Sequence, residues 1–415
     1  MTTHTLRTTL TAAALLTTAA LALTGCGSGF DDDTSAPSGE LTSSDDALTV
    51  LIGSSGDAET EAVQSAVAAW SDQSGVDATV EVANDLAQQL SQGFAAGSPP
   101  DLFYLSTDAI AGYAGNGALQ PYGDLLTNKD DFYPSLIENF TIDDEFYCAP
   151  KDFSTLALVV NTDLWEAAGL TDADMPTTWD ELSEVTATLT TDEHVGLAFG
   201  AEYARVGAFI AQAGGGLVVD GVAQADSAEN VEALEYVQSH LVDGTFGYAA
   251  DIGAGWGGEA LGSGLAAMVI EGNWITGALS ADYPDVSYTV AELPAGPGGP
   301  GTLQFTNCWG MAADSPNQQG ALDLVEHLTS TEQQLAFSTA FGPMPSIVSA
   351  ADAWTDANPD LGAFLDGAEY AQFPPNQAGA VDVIADFNAQ LESLATSDPA
   401  TMLETVQSNL EAILG

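Results

Sequence analysis

Along the chain, short apolar runs alternate with stretches in which apolar residues recur every three or four positions. Residues 47–52 (ALTVLI) read as a buried strand, and beyond Gly53 the stripe Val63, Ala66, Val67 and Trp70 predicts a helix. Residues 76–82 alternate with period two, a helix is expected around 86–94, and LFYL from Leu102 reads as another strand. This alternation predicts a parallel, doubly wound α/β sheet.

The pattern resumes after residue 150, with a strand at 156–160 and a helix from Trp179 through Leu182, Val185 and Leu189. Thr178 and Glu181 stand at capping-box spacing before it. Ser227 precedes a helix carrying Val231, Leu234, Val237 and Leu241 on one stripe, closed by Gly244. Strands are expected at 266–270 and 286–290, then LPAGPGGPGTLQ (293–304) is an irregular connection. A strand follows in TNCWGMAA, and Ser315-Pro316 is expected to open a helix through Ala321, Val325 and Leu328. Two closing helices are predicted over 379–395 and 400–414.

The first 25 residues have a different pattern: Arg7 in a short polar start, then an apolar run of Ala, Leu and Thr. That run is shorter than the ~20 residues of a membrane-spanning helix and reads as a secretory signal. It ends in Leu23-Thr24-Gly25-Cys26, which resembles the lipobox of bacterial lipoproteins, so Cys26 is the expected lipidated residue and membrane anchor. Residues 26–46, rich in Gly, Ser, Pro and Asp without periodicity, read as a flexible tether.

Charge narrows the partners. The 415-residue chain has 60 acidic and 4 basic side chains, a formal net charge of −56. Such a surface repels nucleic acid and anionic lipid, and with so little lysine it predicts a halotolerant host. No stretch has the spaced acidic ligands of a calcium loop, and the four histidines lack metal spacing. Beyond Cys26 only Cys148 and Cys308 remain, and in an oxidising, exported setting they are expected to form a disulfide.

Several segments together resemble the extracellular solute-binding lipoproteins of ABC importers, the sugar-binding group that includes maltose-binding protein. They are GSPPDLFY (97–104), YCAPKD (147–152), NTDLWEAAGL (161–170), PTTWDEL (176–182), AMVIEGNW (267–274), WGMAADS (309–315) and FGPMPS (341–346). The resemblance covers residues 48–415 and implies a two-lobed fold, each lobe a sheet flanked by helices, with ligand enclosed between them. It implies hinge crossings near 150–155, 303–308 and 342–346. Lobe 1 is then 47–151 plus 307–342, and lobe 2 is 153–304 plus 346–415. One departure is Asp143-Asp144-Glu145, where many relatives have a Gly-Lys turn.

Sugar recognition needs flat apolar faces together with fixed hydrogen-bonding groups in a cleft. By that resemblance Trp274 is the expected stacking platform, flanked by Glu271 and Asn273, which are either hydroxyl ligands or a turn-capping pair. Tyr104 is an expected ligand contact and Asp108, just after its strand, an expected acidic ligand, while Ser54 and Asp57 stand at a strand exit where α/β clefts bind; Asp57 is alternatively a helix cap. Glu202, Tyr203 and Arg205 are expected from the second lobe, Asp152 and Ser154 from the first crossing, and Trp309 lines either cleft or core. Lys151 either pairs with carboxylates to hold the hinge or touches ligand.

The implied activity is capture of a carbohydrate and its delivery to the permease subunits of an ABC importer by a lipid-anchored monomer, with no cofactor. The rival readings are a binding protein for a cation such as a polyamine and, further off, a secreted glycoside hydrolase. The chain has no GxSxG, HExxH or P-loop sequence.

Overall fold

The computed structural model describes residues 41–415. The signal segment, Cys26 and most of the expected tether therefore lie outside the described residues. None of the described helices is long and apolar enough to cross a membrane.

Ten strands form the central sheet. They are β1 (Leu48–Ile52), β2 (Ala78–Val82), β3 (Leu102–Ser106), β4 (Ala149–Asn161), β5 (Val195–Phe199), β6 (Phe246–Tyr248), β7 (Ala266–Gly272), β8 (Tyr288–Ala291), β9 (Thr302–Met311) and β10 (Ala371–Gln372). Their order is β6-β5-β7-β4-β9-β3-β1-β2, with β8 also on β4 and β10 also on β9. The sheet is mixed, not purely parallel as the alternation suggested. β1 pairs in parallel with β2 and β3, and β7 with β5, but β4 and β9 run antiparallel to each other, β4 also to β7 and β8 and β9 also to β3, while the short β10 joins β9 in parallel.

β4 and β9 carry the chain between two halves. Their pairing runs from Gln304–Thr155 to Trp309–Ala149, with a register shift between Asn307 and Cys308. A third pass is bridged at Phe153–Met344, and the Ser346 hydroxyl donates to the Pro150 carbonyl at 2.7 Å.

Apolar side chains gather in three cores. One holds β1 and β3 residues with Trp70, Trp309 and Leu324; the second holds Leu156, Leu158, Phe199, Phe209, Leu303 and Phe387. A third, with Phe153, Ala157, Val159, Met344, Trp354 and Phe364, backs the crossing strands. Successive residues of a strand point to opposite faces. Phe153 therefore enters this backing core while Asp152 and Ser154 turn to the other side, lining a cleft.

Local caps follow the sequence with two exceptions. Ser227 caps Ala228–Asp243 and Gly244 closes it in the left-handed region. Thr178 caps Trp179–Leu189, but the Glu181 carboxylate reaches back to Thr177. Ser315 does not open a helix: its hydroxyl donates to buried Asp101, and Asn317 caps Gln318–Leu328 instead. The Pro-Gly stretch is irregular only as far as Thr302, where β9 begins.

One pH response arises from this packing. His240 stacks on Phe246 at 4.4 Å and meets the Ser183 and Thr245 hydroxyls, next to Tyr236 and with Asp243 at 3.8 Å. Burial lowers its pKa from the usual 6.5, outweighing the opposing pull of Asp243. The unfolded chain therefore binds the proton first, so this contribution is complete above pH 6.5 and is lost as pH falls through the lowered folded value. Urea midpoints at pH 7 and 5.5 are expected to differ less in His240→Gln than in the wild type; equal differences would rule out His240 as the titrating group.

Candidate functional site

The cleft beside the crossing strands has a volume of about 470 Å³. Its walls come from the β1 exit (Gly53, Ser55, Glu59), the β3 exit (Ser106, Thr107), β4 (Lys151, Asp152, Ser154), the β7 exit (Asn273, Trp274), β9 (Phe305, Asn307) and the turn Phe341–Pro343. A second cavity of about 510 Å³ is lined by Glu202, Arg205, Tyr248, Trp256 and Glu271 among others.

On the β1–β3 side a buried ionic cluster forms the wall. Glu59 belongs to the helix Asp57–Ser74 and lies on the same face as Val63, Ala66 and Trp70, with its side chain 4% exposed. Its Oε2 accepts from the Ser55 N–H and hydroxyl, both at 2.7 Å, and its Oε1 accepts from the Tyr104 hydroxyl at 2.9 Å. The Lys151 ammonium is 3.3 Å from that Oε1, in direct contact with Asp152, and 4.5 Å from the centroid of the Tyr104 ring.

Burial disfavours every charge in this cluster, but neighbours decide the outcome. For Lys151 the Asp152 and Glu59 carboxylates outweigh burial and raise its pKa, so it remains an ammonium ion. Burial likewise raises the Glu59 carboxyl, yet Lys151 and the Ser55 and Tyr104 hydrogen bonds bring it below the ordinary value. Asp152 is raised, because there burial exceeds the pull of Lys151.

A second ionic cluster backs Trp274. Arg205, in the first turn of Tyr203–Gln212, is 3.1 Å from Glu202 and donates to buried Glu271 at 2.7 Å. The Trp274 indole N–H donates to the same Glu271 oxygen at 3.0 Å, and the guanidinium lies 5.3 Å from the indole centroid. Phe305 meets the indole edge-on at 5.9 Å. Gly257 and Gly272 permit this, since a Cβ at either would approach Glu271 or the Trp274 ring within 2.5 Å. Burial raises the Glu271 carboxyl despite the opposing Arg205. Trp274 itself is 39% exposed, the largest exposed aromatic surface among the described residues.

The structure thus brings together Asp152, Ser154, Asn273 and Trp274 on the cleft, and Glu202, Arg205 and Glu271 behind the indole. The Ser154 hydroxyl bonds the Asn273 amide, which also donates to the Gly342 carbonyl at 2.9 Å. Tyr104, expected as a ligand contact, is buried and does not line the cleft, meeting the cluster through its hydroxyl on Glu59 and its ring face beside Lys151.

Five further expected ligand residues do not line this cleft. Asp108 opens onto a separate groove with Tyr113 and Asp314, because the helix Thr107–Gly115 turns it away. Tyr203 is 2% exposed against Phe387, and Trp309 is 1% exposed against Tyr104; each follows its strand or helix face into a core. Asp57 is exposed at the start of its helix and caps nothing, the N-cap being Gly56. Ser54 hydrogen-bonds within its own turn, to Gly56 and Thr60. Glu59, Phe305, Asn307 and Phe341 were not singled out from the sequence. Glu59 left a signal there: a carboxylate four residues before Val63 on an otherwise apolar stripe.

Cys148 and Cys308 form a disulfide between β9 and the chain entering β4, with Cα atoms 5.6 Å apart. Both are fully buried.

Two halves joined by crossing strands, with polar and aromatic groups from both lining the gap, define a cleft-type binding protein. Residues 65–363 match the family of bacterial extracellular solute-binding proteins. The chain belongs to that family.

A binding protein of Brucella abortus (strain 2308) is 25% identical over 351 residues, 79% of this chain and 83% of its own. The cyclic α-maltosyl-1,6-maltose binding protein from Arthrobacter globiformis superposes with a TM-score of 0.78 at 22% identity, covering 88% of this chain and 98% of that one. UgpB from Mycobacterium tuberculosis, solved with glycerophosphocholine, does so at 0.76 and 18% identity, covering 89% and 98%. Shared fold at this identity leaves the choice of solute to the residues of the cleft.

Proposed function

We propose that the protein captures a carbohydrate in the cleft and delivers it to the permease of an ABC importer. One observation carries the solute class: Lys151 on the cleft and Arg205 behind the indole are each already matched by two carboxylates, Lys151 by Glu59 and Asp152, Arg205 by Glu202 and Glu271. A phosphate or carboxylate would find no unpaired positive charge and would face surplus acid. An uncharged polyol meets hydrogen-bonding groups of both signs and one exposed indole face.

Donors remain for it, since the Arg205 Nε–H and the Tyr248 hydroxyl are buried without protein partners in residues lining the second cavity. In the cleft the solute is held between Ser55 and Glu59 of one half and Asn273 and Trp274 of the other, and greater affinity for the closed arrangement drives hinge closure. Export through the signal segment, lipidation at Cys26 and a monomeric state complete the proposal; acyl-chain mass spectrometry of the mature N-terminus tests the anchor.

The deciding experiment is calorimetry across neutral mono- to tetrasaccharides, sugar acids, glycerophosphodiesters and polyamines. At least one neutral saccharide is expected to bind with micromolar or better Kd. Binding confined to a charged solute would overturn the assignment.

A further inference from the structure

We propose that Lys151 is the tethered occupant of an ammonium-binding cage in the cleft wall, and that by filling it the chain excludes cationic solutes. The inference deepens the assignment of the cleft to an uncharged solute and rests on it.

The cage has the parts a primary ammonium requires: two carboxylates and aromatic faces. The Lys151 nitrogen lies 3.3 Å from Glu59, touches Asp152, and is 4.5 and 5.7 Å from the Tyr104 and Phe341 ring centroids. One carboxylate is held independently of the occupant, and strand β4 carries the other. Glu59 is fixed by Ser55 and Tyr104, and the Lys151 backbone carbonyl is held by the Gln334 amide at 2.7 Å.

Glu59, Asp152 and Phe341 all border the cleft, so space vacated by the lysine side chain opens directly to solute. In a chain of net charge −56, two such carboxylates without a counter-charge would collect amines from solution. An attached ammonium outcompetes free ones through its effective concentration, and specificity gains an element directed against the wrong solute.

Alanine at 151 retains Cβ and lacks three carbons and the nitrogen, the atoms of n-propylamine. Lys151→Ala is therefore titrated by thermal shift and calorimetry with methylamine through n-butylamine, with n-propanol and sodium chloride as controls, beside wild type and Lys151→Met. The alanine variant is expected to bind n-propylamine at least tenfold more tightly than wild type does, with no response to propanol. Lys151→Met, its cage filled without charge, should show no amine binding.

A folded alanine variant that binds no amine, or a wild type that binds it equally well, overturns the proposal. If the alanine variant is recovered only unfolded, it is refolded with each additive. Recovery with propylamine but not propanol then supports the cage, and recovery with neither overturns it. Saccharide titration of the wild type runs in parallel: its failure alone removes the sugar assignment and leaves the amine result to be read by itself.

Discussion

Replacing Cys148 and Cys308 together by alanine is expected to lower unfolding free energy by about 5 kcal/mol, the chain-entropy value for a closed loop of this length. The bridge spans 160 residues of sequence, so the unfolded chain gains a great deal of freedom when it is lost. Binding should survive wherever the variant is folded. The crossing strands keep their own pairing, Thr306 with Phe153 and Asn307 with Asp152, and the Tyr122 hydroxyl accepts from the Ala149 N–H at 3.0 Å beside the bridge. Urea unfolding with parallel saccharide calorimetry checks both halves. A midpoint equal to wild type would show that the bond adds no stability. Loss of affinity in a fully folded variant would show that it shapes the site.

Trp274→Ala is expected to weaken saccharide binding by about 100-fold, the ~2–3 kcal/mol typical of a central aromatic anchor. The fold should persist, since 39% of the side chain is exposed. Removal also takes the indole N–H from Glu271 and the ring face from Arg205, leaving a buried pair less well ordered. Trp274→Phe separates these effects, because it restores a flat face without the N–H donor. It is expected to recover part of the affinity. An alanine variant within threefold of wild type would move the platform elsewhere, Phe305 being the next candidate on the cleft.

Much of the fold was legible because period-two and period-3.6 patterns report one-sided burial. The helix Ala228–Asp243 shows it, its cap, stripe and closing glycine all falling where the sequence places them. β4 was legible only in its last residues. Its first half alternates Lys151, Phe153 and Thr155 with Asp152 and Ser154, and polar side chains facing a cleft break an apolar run. Ser315-Pro316 misled because the serine hydroxyl found a better acceptor in Asp101, far away in sequence.

The candidate site was legible in part for a related reason. Trp274 and Trp309 both follow glycine-rich or strand sequence, and nothing local separates them. Pairing of Trp309 with Tyr104 across β9 and β3 sends one indole into a core, while the β7 exit leaves the other on the cleft.

By itself the sequence determined the alternation of strands and helices, the segments that mark the family, the candidate disulfide cysteines and the scarcity of cations, since each is a property of composition or local period. Only the tertiary structure decided which distant acids meet Lys151 and Arg205. Glu59 is 92 residues from Lys151 and Glu271 is 66 from Arg205. Among sixty acidic side chains, only strand order and register bring one carboxylate rather than another within bonding distance of a buried charge.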